Sequence, residues 1–247
     1  MTMTHRHEPR HAVRRQAGMS IVELMVAVAI GLFMIAGFIG SFISMKRAFV
    51  AQDRLAELQD NERLALNLLS ATVRAAGYHP DPLSTSAEGA LPAGTTAYGN
   101  FAAGQGIVGT GGHASPTHTI TTRYVAAPGE ALTNCLGQSN TSASPLLMLN
   151  TYTIGPQHEL MCSLDGGATN TVLVSNVTSM SVLYGTDSSG VDGVDRYLTA
   201  DEVTAGALWP QVRSARLTVR FANPYASEPG ESATIDWVQT VNLMNRT

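Results

Sequence analysis

Lysine occurs once in these 247 residues, at Lys46, and cysteine twice, at Cys135 and Cys162. Cations of any kind are scarce beyond the N-terminus. Arg6, Arg10, Arg14 and Arg15 stand against one acid, Glu8, in the first eighteen residues, and the remainder sets 11 basic side chains against 18 acidic ones, a net −7. Phosphate binding needs clustered Lys and Arg, so this acidic remainder argues against nucleic acid as a directly bound partner. Catalytic signatures are missing too: there is no G-x-S-x-G elbow, no phosphate-cradling Gly-Lys loop, no H-E-x-x-H and no C-x-x-C. His5, His7 and His11 lie among the leader arginines as further cationic content, and His113, His118 and His158 have no carboxylate at motif spacing. The expectation is a protein without enzymatic activity or cofactor. Two cysteines fit one disulfide in an oxidising compartment, although two buried thiols in a cytosolic protein would read the same.

Charge is also absent from Leu24 to Met45, and so is proline. These 22 residues, at 1.5 Å each, span roughly the 30 Å of a bilayer core. The basic leader before the run outweighs Lys46 and Arg47 after it, which predicts a cytoplasmic N-terminus and an external C-terminal part. A secretory signal peptide carries its small-residue cleavage site after the apolar run. Here the small residue, Gly18, comes before it, and a cut between Gly18 and Met19 would keep the apolar helix on the mature chain. Glu23 is the only charge in the segment from Met19 to Met45. A carboxylate inside an apolar span costs about 2.5 to 3.5 kcal/mol and is normally kept for a partner. On its position alone, Glu23 reads equally well as a solvated carboxylate at headgroup level.

RRQAG followed by MSIVELMVAVAIG resembles the signal of type IV prepilins, in which a prepilin peptidase cuts after glycine and methylates the new N-terminus. Gly18 matches the residue before the cut, Met19 the first mature residue and Glu23 the acidic fifth position. The resemblance implies that Glu23 serves assembly by pairing with the Met19 amine of a neighbouring subunit. Small residues four apart, Ala27 with Gly31 and Ala36 with Gly40, would let such helices approach closely.

From Lys46 to Ala76 there is neither Pro nor Gly, and Leu55, Leu58, Ala65, Leu66, Leu69, Val73 and Ala76 recur mostly at steps of three and four. That is an amphipathic continuation of the helix, ended by Gly77, His79 and Pro80. Between Ser84 and Pro145 the chain is rich in Gly, Ala, Ser and Thr, with one clear strand at 118–126. Further strands are expected at 146–154, 159–163, 171–175, 179–184, 214–222 and 234–243. Thr199 to Glu202 forms a capping box for a short helix. The predicted class is α+β: a long N-terminal helix packed on a C-terminal antiparallel β-sheet head. The expected divisions are a leader (1–18), a transmembrane or filament-core helix (19–45), an amphipathic stalk (46–77) and a periplasmic or extracellular head (78–247).

Two further stretches, LVSNVTSMSVLYGTDSSGVDGVDRYLTADEV and LWPQVRSARLTVRFA, resemble the C-terminal part of PilW-type minor pilins, and RAAGY at 74–78 resembles the end of their first helix. The likeness implies a minor pilin that initiates pilus assembly at or near the tip. Its implied partners are prepilin peptidase, other minor and major pilins, the inner-membrane assembly platform and, beyond these, a tip adhesin. It would be held in the inner membrane before assembly and lie in the pilus afterwards. A minor pseudopilin of type II secretion shares helix and signal, and an uncleaved envelope protein with a ligand-binding head is a third reading. Asp187, Asp192 and Asp195 invite a calcium site, but the spacing is not that of an EF-hand, and a solvated turn is the preferred reading.

Overall fold

The computed structural model describes residues 18–190 and 193–244. The chain divides into two units, Met1–Asp53 and Arg54–Thr247. Helix α1 (Ile21–Ala75) runs through both as a single element of 55 residues. In the first unit its side chains are exposed and none is buried, as expected of a surface whose solvent is lipid or a neighbouring helix.

The second unit begins with the rest of α1 and continues through α2 (Ala87–Ala90), β1 (Gly94–Thr96), β2 (Gly99–Phe101), β3 (Ile107–Thr110), β4 (Thr119–Ala126), β5 (Leu146–Gly155), β6 (Glu159–Ser163) and β7 (Thr171–Ser175). After these come β8 (Val177–Thr186), β9 (Arg196–Leu198), α3 (Ala200–Ala205), a 3-10 turn (Trp209–Gln211), β10 (Val212–Ala222) and β11 (Thr234–Asn242). The α+β reading holds, but the strands divide into two sheets and a ribbon. One sheet has the order β3-β4-β5-β6-β7, the other β11-β10-β8-β9, and β1 pairs with β2 alone. All pairings are antiparallel. The division falls at Asn176, whose φ of 63° turns the chain out of one sheet and into the other between β7 and β8. Asparagine is among the few side chains that accept this left-handed conformation.

The core lies between both sheets and the stalk part of α1. Leu58, Ala65, Leu69 and Val73 meet Tyr152, Leu160, Val177, Met180, Leu217, Val219 and Phe221 in one buried cluster. Leu55, counted on the apolar stripe from its spacing, is exposed; the buried face begins at Leu58, level with Ala222 and Asn223 where β10 ends. Polar contacts fix the helix rotation. The Tyr152 hydroxyl donates to Leu68 O at 3.1 Å and lies 3.1 Å from Thr72 Oγ1, while Ser70 Oγ lies 2.8 Å from the side-chain amide of Gln239. Burial raises the Tyr152 pKa well above the ordinary tyrosine value, so it stays a neutral donor.

Gly77 ends α1 with φ 82°. Its N–H then bonds Arg123 O at 2.9 Å, and Tyr78 O accepts from Val125 N at 2.8 Å, so the helix terminus is stitched to β4. A Cβ on Gly106 would lie 2.2 Å from Gly77 N, so only glycine admits this approach. His118 joins the sheets: its Nδ1 lies 3.0 Å from both Val182 N and Val182 O, and its Nε2 lies 3.1 Å from Gly112 O.

Candidate functional site

The N-terminal segment is exposed. Gly18 precedes the helix, with nothing within 4 Å of a Cβ built on it. Met19 is exposed, Ser20 O accepts the first helical bond from Leu24 N at 3.1 Å, and Glu23 falls in the first turn of α1. A carboxylate there sits favourably against the partial positive charge of the helix start. Glu23 is exposed and has no ion pair among the described residues. Arg6, Arg10, Arg14 and Arg15 fall outside the described residues, as do His5, His7 and His11.

In the head, Cys135 and Cys162 form a disulfide with Cα atoms 6.4 Å apart. It ties the long connection between β4 and β5 to β6, and both cysteines are buried. Cys135 N also donates to Asn150 Oδ1 at 2.7 Å.

The aspartate loop uses its acids to shape itself. Asp187 Oδ1 accepts from Gly190 N at 2.9 Å, and Asp195 Oδ2 accepts from Ser188 N at 3.1 Å and Ser188 Oγ at 2.6 Å. These bonds to Ser188 hold the Asp195 carboxyl below its ordinary pKa. Asp187 is buried, its Oδ2 4.0 Å from Arg213 Nε, and so is not a solvated turn residue. Asp192 lies outside the described residues. Among the described residues no three His, Cys, Asp or Glu side chains converge as a metal site. His113 lies 3.4 Å from Glu202, and His158 occupies a turn at φ 60°.

Sequence reasoning missed Arg123. This side chain is 3% exposed, yet among the described residues no carboxylate pairs with it. Its guanidinium donates to four backbone oxygens instead: Gln105 O at 2.7 Å, Pro92 O at 2.5 Å, Leu91 O at 3.2 Å and Ala102 O at 2.8 Å, with Phe101 stacked 4.3 Å below. Burial lowers its pKa to about 10, which still leaves it charged at neutral pH. Arg123 therefore organises residues 91–107, the stretch whose Gly and Ala content had hidden its order. The only signal was one cation inside the strand TITTRYVA.

Two family models match. One, described as a prokaryotic N-terminal methylation motif, covers residues 13–39, and the other, Type IV Pilus-assembly protein W, covers residues 136–241. Over these two segments the chain is similar to type IV pilin-like proteins of PilW type. The PilW match takes in every strand from β5 to β10 and all but the last residue of β11, and neither match reaches residues 40–135. A type IV-like pilin from Thermus thermophilus is similar at a TM-score of 0.40 and 12% identity, over 76% of this chain and 96% of that one. No curated protein matches the chain. Gly18, Met19 and Glu23 all lie inside the methylation-motif match, and both cysteines lie outside that segment. The motif and the exposed apolar part of α1 fit a membrane-anchored pilin, and the family's role is structural rather than enzymatic.

Proposed function

We propose that this chain is a minor pilin: cut after Gly18, methylated at Met19, held in the inner membrane with its head outside, and drawn into a type IV pilus through α1. The division at work would be leader, span, stalk and head, at the boundaries expected from the sequence. Other pilins are its partners, prepilin peptidase processes it, and a place at or near the tip fits a subunit that helps start assembly. In the filament, Glu23 pairs with the Met19 amine of a neighbour and so neutralises two charges that an apolar helix core would otherwise leave alone. It performs no chemistry of its own.

One observation carries this reading. Shortly after Gly18, α1 presents an uncharged surface from Leu24 to Met45 that none of the described residues buries, with a single carboxylate in its first turn. Such a surface is stable only in lipid or against other helices. Mass spectrometry of the N-terminal peptide from sheared filaments tests the proposal. An N-methylated Met19 is expected; a chain that retains its leader, or is found only in membranes, overturns it.

A further inference from the structure

Strand β11 closes one edge of its sheet, and its other side is open. Nine residues, Thr234 to Asn242, pair with β10 without a register shift. The bonds from Asn223 N to Ala233 O at 3.0 Å and from Leu243 N to Arg213 O at 2.9 Å set the phase of that pairing. Odd-numbered residues of β11 therefore exchange bonds with β10. The N–H and C=O groups of Asp236, Val238 and Thr240 point the other way, and among the described residues no strand receives them.

Long open edges on monomers are normally blunted by lysine, proline, a bulge or brevity. β11 has none of these. Its one charge, Asp236, is held in a two-pronged pair by Arg220 at 2.6 and 2.8 Å, and the apolar Val238 is 61% exposed at its centre. The opposite edge strand, β9, has only three residues, and the edges of the other sheet, β3 and β7, have four and five.

The fold also limits what can add there. α1 runs along the sheet in the same sense as β11: Leu58 lies beside Ala222, the partner of Thr234, Ser70 meets Gln239, and Arg74 O accepts from Met244 N at 3.4 Å. An antiparallel pair of two β11 strands has its two-fold axis normal to the sheet, which would reverse one α1 against the other. Two copies whose stalk helices run in the same sense cannot meet that way. A two-fold along the strands would set each Val238 N–H against its own counterpart.

We propose that the outer edge of β11 receives an extended strand from a different, non-identical subunit of the filament, recognised through its backbone. This rests on the filament reading above. The test measures the ratio of full-length chain in sheared filaments to that in membranes for wild type, Val238→Pro, Val238→Lys and Val238→Ala. Proline deletes an outward N–H that has no partner among the described residues, lysine blunts the edge, and alanine keeps the backbone. Incorporation should fall roughly tenfold or more for proline and lysine and stay near wild type for alanine. Protease resistance of the membrane-held chain shows whether each variant is folded, and if proline is not, lysine against alanine decides. Equal incorporation of the lysine and alanine variants overturns the edge contact, as does a loss with alanine matching that with lysine. A Val238→Cys disulfide between two differently tagged copies overturns the non-identical partner. Absence of the wild-type chain from filaments overturns the filament reading itself, and the edge contact with it.

Discussion

Replacing Arg123 is the most searching perturbation of the head. Arg123→Ala removes a cation that holds Leu91 O, Pro92 O, Ala102 O and Gln105 O together. Its backbone bonds to Gly77 and Gly106 do not depend on the side chain and should survive. An acceptor left buried without a donor costs about 1 to 3 kcal/mol, and bonds to a charged donor sit at the upper end of that range. The four costs do not add, because Ala102 and Gln105 line one surface cavity and Pro92 another, where water can replace the guanidinium. A loss of about 3 to 5 kcal/mol is therefore expected, at the level seen when one partner of a buried polar network is removed. Arg123→Lys should recover part of this, since an ammonium has three donors and lacks the planar fork. The assay is thermal or denaturant unfolding of the detergent-extracted full chain, with limited proteolysis to locate the damage. Cleavage should begin within residues 91–107 while β8, β10 and β11 remain protected. A loss below about 1 kcal/mol, the scale of a single ordinary hydrogen bond, would refute the organising role. So would cleavage that starts elsewhere.

Three further outcomes are expected. Glu23→Val should insert and be cleaved normally yet lose roughly tenfold or more in the ratio of filament to membrane protein, the scale of an unpaired buried charge; an unchanged ratio would make Glu23 an interfacial charge only. Changing Cys135 and Cys162 together to Ser should cost about 3.5 kcal/mol of head stability on the chain-entropy view of a bridge between residues 27 apart, read as a lower unfolding midpoint. Bonds from Thr199 N and its hydroxyl hold the Glu202 carboxyl below its ordinary pKa, so this cap stabilises α3 above the unfolded value and is lost as pH falls through the lower folded one. Carboxyl-resolved NMR titration should show that low midpoint moving part of the way back up in Thr199→Ala, which removes the hydroxyl and keeps the N–H, and no movement would leave the hydroxyl without a part in it.

How much could be read without coordinates follows from the range of each interaction. A span that must bury no charge, a glycine before it, a capping box at Thr199 and strands of period two are all local patterns, and each matches an element at nearly the expected bounds. The helix terminus at Gly77 was legible for the same reason, since its left-handed conformation is a property of one residue. Which strands pair is not local. Thr171–Ser175 and Val177–Thr186 follow one another with a single residue between them, yet they belong to different sheets, because the turn at Asn176 and the burial of Val177 and Met180 against β10 decide their neighbours. Arg123 was beyond reach from the sequence because its acceptors are backbone carbonyls, which carry no residue identity. The open edge of β11 was hidden likewise: a strand of nine residues reads the same whether one side or both are paired. The long apolar helix, the N-terminal methylation motif and the class of the fold are thus legible without coordinates, because all are governed by the side chains of near neighbours. Only the tertiary structure decided which backbone groups are satisfied within the chain and which are left facing outward.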